Sequence, residues 1–264
     1  VDKGKDMDSK ERFSSRVEQY VQYRPSYPVA AIDYLVNEVG VRPGTAVADI
    51  GAGTGIFTKL LLERGARVTA VEPNQAMREA AMHTLGANPN LQVVAAAAED
   101  TGLPEQSVDH IVCAQAFHWF DRAKAQEEFK RILQPGGKVV LVWNSRLSAG
   151  TPFLTGYEQL LHTYATDYNT VNHRNLDEQA LAAFFAPGTM RIARFPHQQL
   201  LDYEGLSGRL QSSSYAPVQG EPSYDEMMAE LKFLFERNQQ EGRVDFAYET
   251  ELYWGRAVSC CRSS

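Results

Sequence analysis

From Val47 to Glu72 the chain reads VADIGAGTGIFTKLLLERGARVTAVE, and no other stretch restricts its fold so tightly. An apolar strand delivers Asp49 into a glycine-rich turn, Gly51-x-Gly53-x-Gly55. A helix follows, and a second strand from Arg67 to Val71 ends in Glu72. Three glycines at alternate positions free the backbone at a strand-to-helix turn, and without a Cβ they let a ligand approach the main chain. Ile56, Phe57, Leu60 and Leu61 recur at helical spacing, so one helix face packs on a sheet. Gly65, just after Arg64, stands where a C-terminal cap belongs. This is a βαβ unit suited to an adenosine-containing cofactor, with Glu72 at the height where an acid accepts hydrogen bonds from ribose hydroxyls.

Two cofactors compete for such a unit. A dinucleotide fingerprint, G-x-G-x-x-G, places a pyrophosphate on the helix N-terminus. Here Ile56 occupies the third-glycine position, so the spacing fails by one residue. Asp49, two residues before the first glycine, would repel a pyrophosphate but can accept from an ammonium group. S-adenosylmethionine (SAM) carries an ammonium and no phosphate, so the unit reads as a SAM site rather than an NAD site.

The later motifs follow in a set order: Ala98-Glu99 through Leu103-Pro104, Ser107 to Val112, Gln115-Ala116-Phe117-His118-Trp119-Phe120-Asp121, and Arg131 to Gly137 before Trp143-Asn144. With Val47–Glu72 they resemble class I SAM-dependent methyltransferases, in particular the type 11 small-molecule group and its trans-aconitate methyltransferase-like branch, which carries a Phe-His-Trp-Phe run. The likeness extends upstream to Tyr20, Tyr23, Arg24, Pro25, Tyr27 and Pro28, and is firm over about the first 145 residues. It implies an α/β, Rossmann-like, doubly wound and mostly parallel sheet with SAM as cofactor. It also implies that Glu72 takes the ribose hydroxyls, Met77 packs on the adenine, and Ala98-Glu99 faces the adenine edge. Many relatives carry an Asp just before the Ala-Glu pair. Ala97 stands there in this chain, which leaves open whether Glu99 replaces it.

Ligands of open α/β sheets bind outside the carboxyl ends of the strands. With the resemblance, that rule gives a cofactor set of Tyr20, Arg24, Asp49, Gly51, Ala52, Gly53, Gly55, Glu72, Pro73, Met77, Ala98, Glu99, Gln115 and Ala116. His118 is the candidate general base beside the methyl group, its alternative being a hydrogen-bonded residue that holds the loop. Trp119 either lends its face to the sulfonium or packs beneath a lid. Tyr23, Trp119, Asn144, Arg146 and Tyr215 form the expected substrate wall. Arg24 and Arg146 are the cations that a carboxylate acceptor would require.

A net charge of −7 and the absence of a dense Lys/Arg run argue against a nucleic-acid partner. No stretch is long and apolar enough to span a membrane. Three cysteines, Cys113, Cys260 and Cys261, make neither a disulfide framework nor a metal-ligand spacing, and His162, His173 and His197 add none, so no metal is expected. Sparse cysteine and a polar N-terminus read as cytoplasmic.

Along the chain we expect a disordered tail over 1–13, a helical cap over 14–40 and the SAM-binding core over 41–145. A helical lid over 146–192 follows, then strands and helices over 193–264 that complete the fold. Core strands are placed near 45–50, 67–71, 91–96, 109–114 and 138–143, helices near 56–64, 75–85 and 121–133, and the final antiparallel strand pair near 193–202 and 244–253. The function expected is methyl transfer from SAM to a small organic acceptor, a carboxylate being the first choice by resemblance. The competing readings are a non-catalytic SAM-binding module and a nicotinamide-dependent oxidoreductase.

Overall fold

The computed structural model describes residues 22–165, 168 and 178–256. Tyr20, the 1–13 tail, His173, Cys260 and Cys261 lie outside the described residues. Among those described, a mixed seven-stranded sheet has the order β3-β2-β1-β4-β5-β7-β6. Its first five strands are β1 (Ala46–Ile50), β2 (Arg67–Val71), β3 (Leu91–Val94), β4 (Val108–Ala114) and β5 (Leu133–Arg146), all parallel. β6 (Arg191–Leu201) and β7 (Val244–Arg256) complete it, with β7 running antiparallel between β5 and β6. Strand order reverses between β1 and β4, which opens a crevice at their carboxyl ends.

The central strands are buried on both faces, and their side chains divide between two cores. Ala48, Ile111, Cys113, Leu141 and Tyr253 face one side. There they meet α4 (Arg122–Ile132) through Phe129 and α6 (Glu178–Phe185) through Phe185. Val47, Val112, Val140, Val142 and Leu252 face the other. There they meet α1 (Val29–Tyr34), which runs on as a π-helical turn over Leu35–Val39, and α2 (Ile56–Glu63). Cys113 is fully buried in the first core, so its thiol acts as a small hydrophobe.

β5 is longer than its apolar run suggests, for two reasons. Leu133 pairs with Val108 and Lys138 with His110, so residues 134–137 form a bulge rather than a separate turn. At its other end β7 pairs with it as far as Arg146↔Tyr248, which carries both strands beyond the parallel sheet.

That extension supports a third core. α5 (Pro152–Tyr164), α7 (Tyr203–Gln211) and α8 (Tyr224–Asn238) pack around Val244, Phe246 and Tyr248 of β7. Of the segment expected as a lid, α5 therefore joins this helical cap, while α6 packs back onto the sheet. Met227, Leu231 and Phe235 of α8 are buried, so its apolar stripe is core. No helix among the described residues is long and apolar enough to cross a membrane.

Phe246 is fully buried, edge-on to Tyr157 at 4.9 Å and to Phe153 at 6.0 Å. Phe246→Ala should therefore lower the unfolding free energy by about 3–5 kcal/mol, read from the denaturant midpoint.

Candidate cofactor and acceptor site

The three glycines after β1 are all in the left-handed region, but each serves a different contact. A Cβ on Gly51 (φ +73°) would lie 2.5 Å from Ala116 Cβ, so this glycine lets the loop after β4 close on the turn. A Cβ on Gly55 (φ +82°) would lie 2.8 Å from Leu85 Cδ1 of α3 (Gln75–Leu85), so it sets helix packing. A Cβ on Gly53 (φ +57°) would meet nothing within 4 Å. Its open side belongs to a cavity of about 320 Å³ that Gly51, Ala52 and Gly53 line.

Glu72, at the end of β2, fastens this turn to the next one. Gly53 N–H donates to its Oε2 (2.9 Å) and Asn74 N–H to its Oε1 (2.8 Å). Asn74 in turn caps α3 by accepting from Met77 N–H (3.0 Å), which brings Met77 to the cavity wall.

Asp49 lies behind the glycine turn rather than on the cavity surface. It is fully buried, and Oδ2 accepts from Thr58 Oγ1 (2.6 Å) in the first turns of α2. Among the described residues Oδ1 has no hydrogen-bond partner. Burial, with the Glu72 charge adding to it against the Thr58 hydrogen bond, pushes its pKa up to about 7. An orphaned buried carboxylate, an open glycine cradle and a hydroxyl acceptor at Glu72 together fit a cofactor with a cationic amino-acid end and a ribose.

Pro73, Ala98, Glu99, Gln115 and Ala116 also line the cavity, as does Ala97, which offers no acid. Glu99 Oε1 accepts from Asp121 N–H (2.8 Å), so this carboxylate is partly spent on the loop after β4. In that loop Gln115 holds φ +57°, with its N–H bonded to Val142 O (2.8 Å). A non-glycine residue held there is strained, and here the strain turns the chain into the cavity. His118 and Trp119 follow on the wall. Trp143 Nε1–H donates to His118 Nδ1 (3.4 Å). Indole nitrogen can only donate, so this bond assigns the lone pair to Nδ1 and the proton to Nε2.

Arg24, Pro25 and Tyr27 close the cavity as a strap. Arg24 Nη2 donates to Ser212 O (2.9 Å), and Asn144 Nδ2 to Ser26 O (3.0 Å). Tyr23 and Gly55, both expected in the site, do not line the cavity. Tyr23 packs behind α7, where a Cβ on Gly208 would be 2.2 Å from its ring, and its hydroxyl donates to Glu204 (3.3 Å).

The cap supplies the opposite wall: Arg146, Tyr168, Arg209, Ser214 and Tyr215. Arg146 is paired with Glu158, donates to Tyr168 Oη (2.9 Å) and lies 5.0 Å from the Tyr157 ring centroid. Burial, with Tyr215 and Glu158 adding to it against the Arg146 guanidinium, pushes the Tyr168 phenol up to about 12, so it stays protonated. Tyr168, Arg209 and Asn74 are cavity residues that motif reading missed. For Arg209 a signal existed: it stands between Leu206 and Leu210 on the buried stripe of an amphipathic helix.

Comparison with known proteins agrees with this geometry. Residues 48–141 match the family model described as a methyltransferase domain. The chain is 43% identical over 134 residues to an uncharacterized methyltransferase of Mycobacterium tuberculosis, covering 51% of this chain and 52% of that protein. The chain thus spans about half the length of that curated relative. It is 28% identical over 245 residues to an uncharacterized methyltransferase-like protein of Schizosaccharomyces pombe, covering 91% and 93%. A solved structure titled as a putative type II methyltransferase from Anaeromyxobacter dehalogenans shares the fold, with TM-score 0.68, 24% identity and coverage of 90% and 100%.

The glycines and Asp49 give separable outcomes. Gly51→Ala should destabilise by about 1–3 kcal/mol through its clash with Ala116. Gly53→Ala should cost about 1 kcal/mol of stability yet weaken binding of S-adenosylhomocysteine at least about tenfold by calorimetry. Because the Asp49 pKa is raised on folding, its contribution to stability is lost as pH rises from about 4 through about 7. Relative to wild type, Asp49→Asn should therefore gain thermal stability across that window in the ligand-free chain, and a flat difference would refute the assignment.

Proposed function

We propose that this chain, which its domain match, relatives and fold indicate to be a SAM-dependent methyltransferase, transfers the methyl group to a carboxylate oxygen of a small organic acceptor. The observation that carries the acceptor class is His118, whose lone pair accepts from Trp143 and is therefore turned away from base catalysis. The two cavity carboxylates are no better placed, since Glu72 and Glu99 both accept from backbone N–H groups. A wall without a disengaged base suits an acceptor that is already ionised at neutral pH.

When bound, SAM would supply an electrophilic methyl carbon on a sulfonium able to leave as a neutral thioether, so transfer to an already ionised acceptor would require no proton movement. The glycine turn, Glu72 and Met77 would hold that cofactor by its amino-acid end, ribose and adenine. The strap and the aromatic loop of Phe117, Trp119 and Phe120 keep the reacting end dry, where positioning supplies most of the acceleration. His118, protonated at Nε2, acts as a donor that orients the acceptor.

The reading is tested by titrating the chain with SAM, S-adenosylhomocysteine and NADH, then following S-adenosylhomocysteine and ester formation over a panel of small carboxylic acids. Ester formation with NADH excluded is expected, and amine or alcohol methylation alone would sink it. His118→Asn should lower kcat by less than about tenfold and leave the rate flat from about pH 6 to 8. A base would instead impose an alkaline-rising limb and cost about a hundredfold or more.

A further inference from the structure

At the end of the sheet where the parallel strands begin, away from the cavity, three cations share one face. Lys138 of β5 stands directly opposite Arg256 of β7, and Arg191 of β6 stands opposite Trp254 of β7. Side chains two apart on a strand share a face, so Trp254 and Arg256 bring Lys138 and Arg191 to the same side. Lys138 Nζ and Arg191 Cζ each lie 5.0 Å from the Trp254 ring centroid. The ring is buried, whereas Arg191 and Arg256 are exposed. Lys138 Nζ donates to Val39 O (2.6 Å) and Glu38 O (3.1 Å), which leaves one of its three donors. Like charges directly opposite across a ladder destabilise it. Burial, then the Arg256 and Arg191 charges, lower the Lys138 pKa against the pull of Glu38. Among the described residues none of the three cations forms an ion pair with a carboxylate. The same two strands show the usual compensation on their other face. There Arg194 stands opposite Glu251 and pairs with Glu178, Glu249 and Glu251. In a chain of net charge −7, a cationic face left without acids does not follow from composition.

We propose that Lys138, Arg191 and Arg256 form a second binding site, for a small phosphate-bearing ligand. Donors converge there from three adjacent strands, so the matching anion must offer acceptors in several directions and more than one negative charge. A phosphate group does both, and guanidinium forks grip its oxygens in pairs. A monocarboxylate carries one charge and presents two oxygens in one plane, enough for a single fork. Such an anion would relieve the repulsion between Lys138 and Arg256, and Trp254 backs the site by holding Lys138 and Arg191 over its ring. None of the three cations lines the cofactor cavity. The site is therefore separate from the methyl-transfer reading and stands or falls without it.

The test titrates the full chain by calorimetry, at constant ionic strength, with pyrophosphate, inorganic phosphate and, as the monoanion control, acetate. Pyrophosphate should bind more tightly than phosphate, and acetate should not bind. Arg191→Gln and Arg256→Gln should each weaken pyrophosphate at least about fivefold. Arg122→Gln, at an exposed arginine of α4 outside the cluster, should stay within about twofold of wild type. Arg191→Lys, which keeps the charge without the fork, should recover part of the loss. Because Arg256 faces Lys138, Arg256→Gln should hold or raise the thermal midpoint of the ligand-free chain, which separates lost binding from lost structure. A lowered midpoint would make Arg256 a structural residue and overturn its place in the site. The absence of pyrophosphate binding in wild type overturns the proposal, as does an equal loss in Arg122→Gln, which would reduce the effect to overall charge. Displacement of pyrophosphate by S-adenosylhomocysteine also overturns it, because the anion would then occupy the cofactor cavity.

Discussion

The antiparallel pairing of β7 with β5 is the constraint on which the rest of the site depends. Its register runs from Lys138↔Arg256 to Arg146↔Tyr248, well past the carboxyl end of β4. Within that overhang Asn144 pairs with Thr250 and accepts its hydroxyl (2.6 Å), while the Asn144 amide holds the strap at Ser26. Two residues on, Arg146 and Tyr248 stand side by side, one reaching Tyr168 and Glu158 and the other holding Arg209. A shift of one residue would turn each of these side chains to the other face of the sheet. Strap, cap and crevice are thus brought together by one ladder.

The cavity has a division of charge. The sheet wall presents backbone N–H groups and acids, with Glu72 bonded to two turns and Asp49 buried behind them. The cap wall and the strap present guanidinium groups, those of Arg24, Arg146 and Arg209. Charges on facing walls of a shared cavity favour opposite signs in what each wall holds. Under the proposed function, the cationic end of the cofactor would lie toward the first wall and the acceptor toward the second. Between them lies the aromatic loop, where Phe117 packs edge-on with Phe120, Trp143 and Phe184.

Much of the sheet wall was legible in the chain. The βαβ unit runs over the strands and helix that its periodicity marks, and Met77, Gly51, Gly53, Glu72 and Ala98 reach the cavity as motif and strand-end rule require. These contacts are made by residues close in sequence or at the ends of parallel strands, so local pattern suffices to place them. Asp49 and Gly55 belong to the same motif yet stand behind it, because Thr58 takes the carboxylate and Leu85 crowds the glycine. Side-chain identity marked both as special, but not which neighbour each would meet.

The cap wall was legible only in part. Arg146 and Tyr215 were candidates, but Arg146 is neutralised by Glu158, and Arg209, on the buried stripe of α7, was not among them. His118 looks like a base in sequence, and only its approach to Trp143, twenty-five residues away, fixes which nitrogen holds the proton. The sequence by itself determined the parallel α/β core, the glycine turn and the acid that ends the second strand, because these follow from period, spacing and backbone freedom within one βαβ unit. Only the tertiary structure decided that Arg146 meets Glu158 whereas Arg209, among the described residues, meets Tyr248 and Ser213, because such pairings join distant segments through strand register.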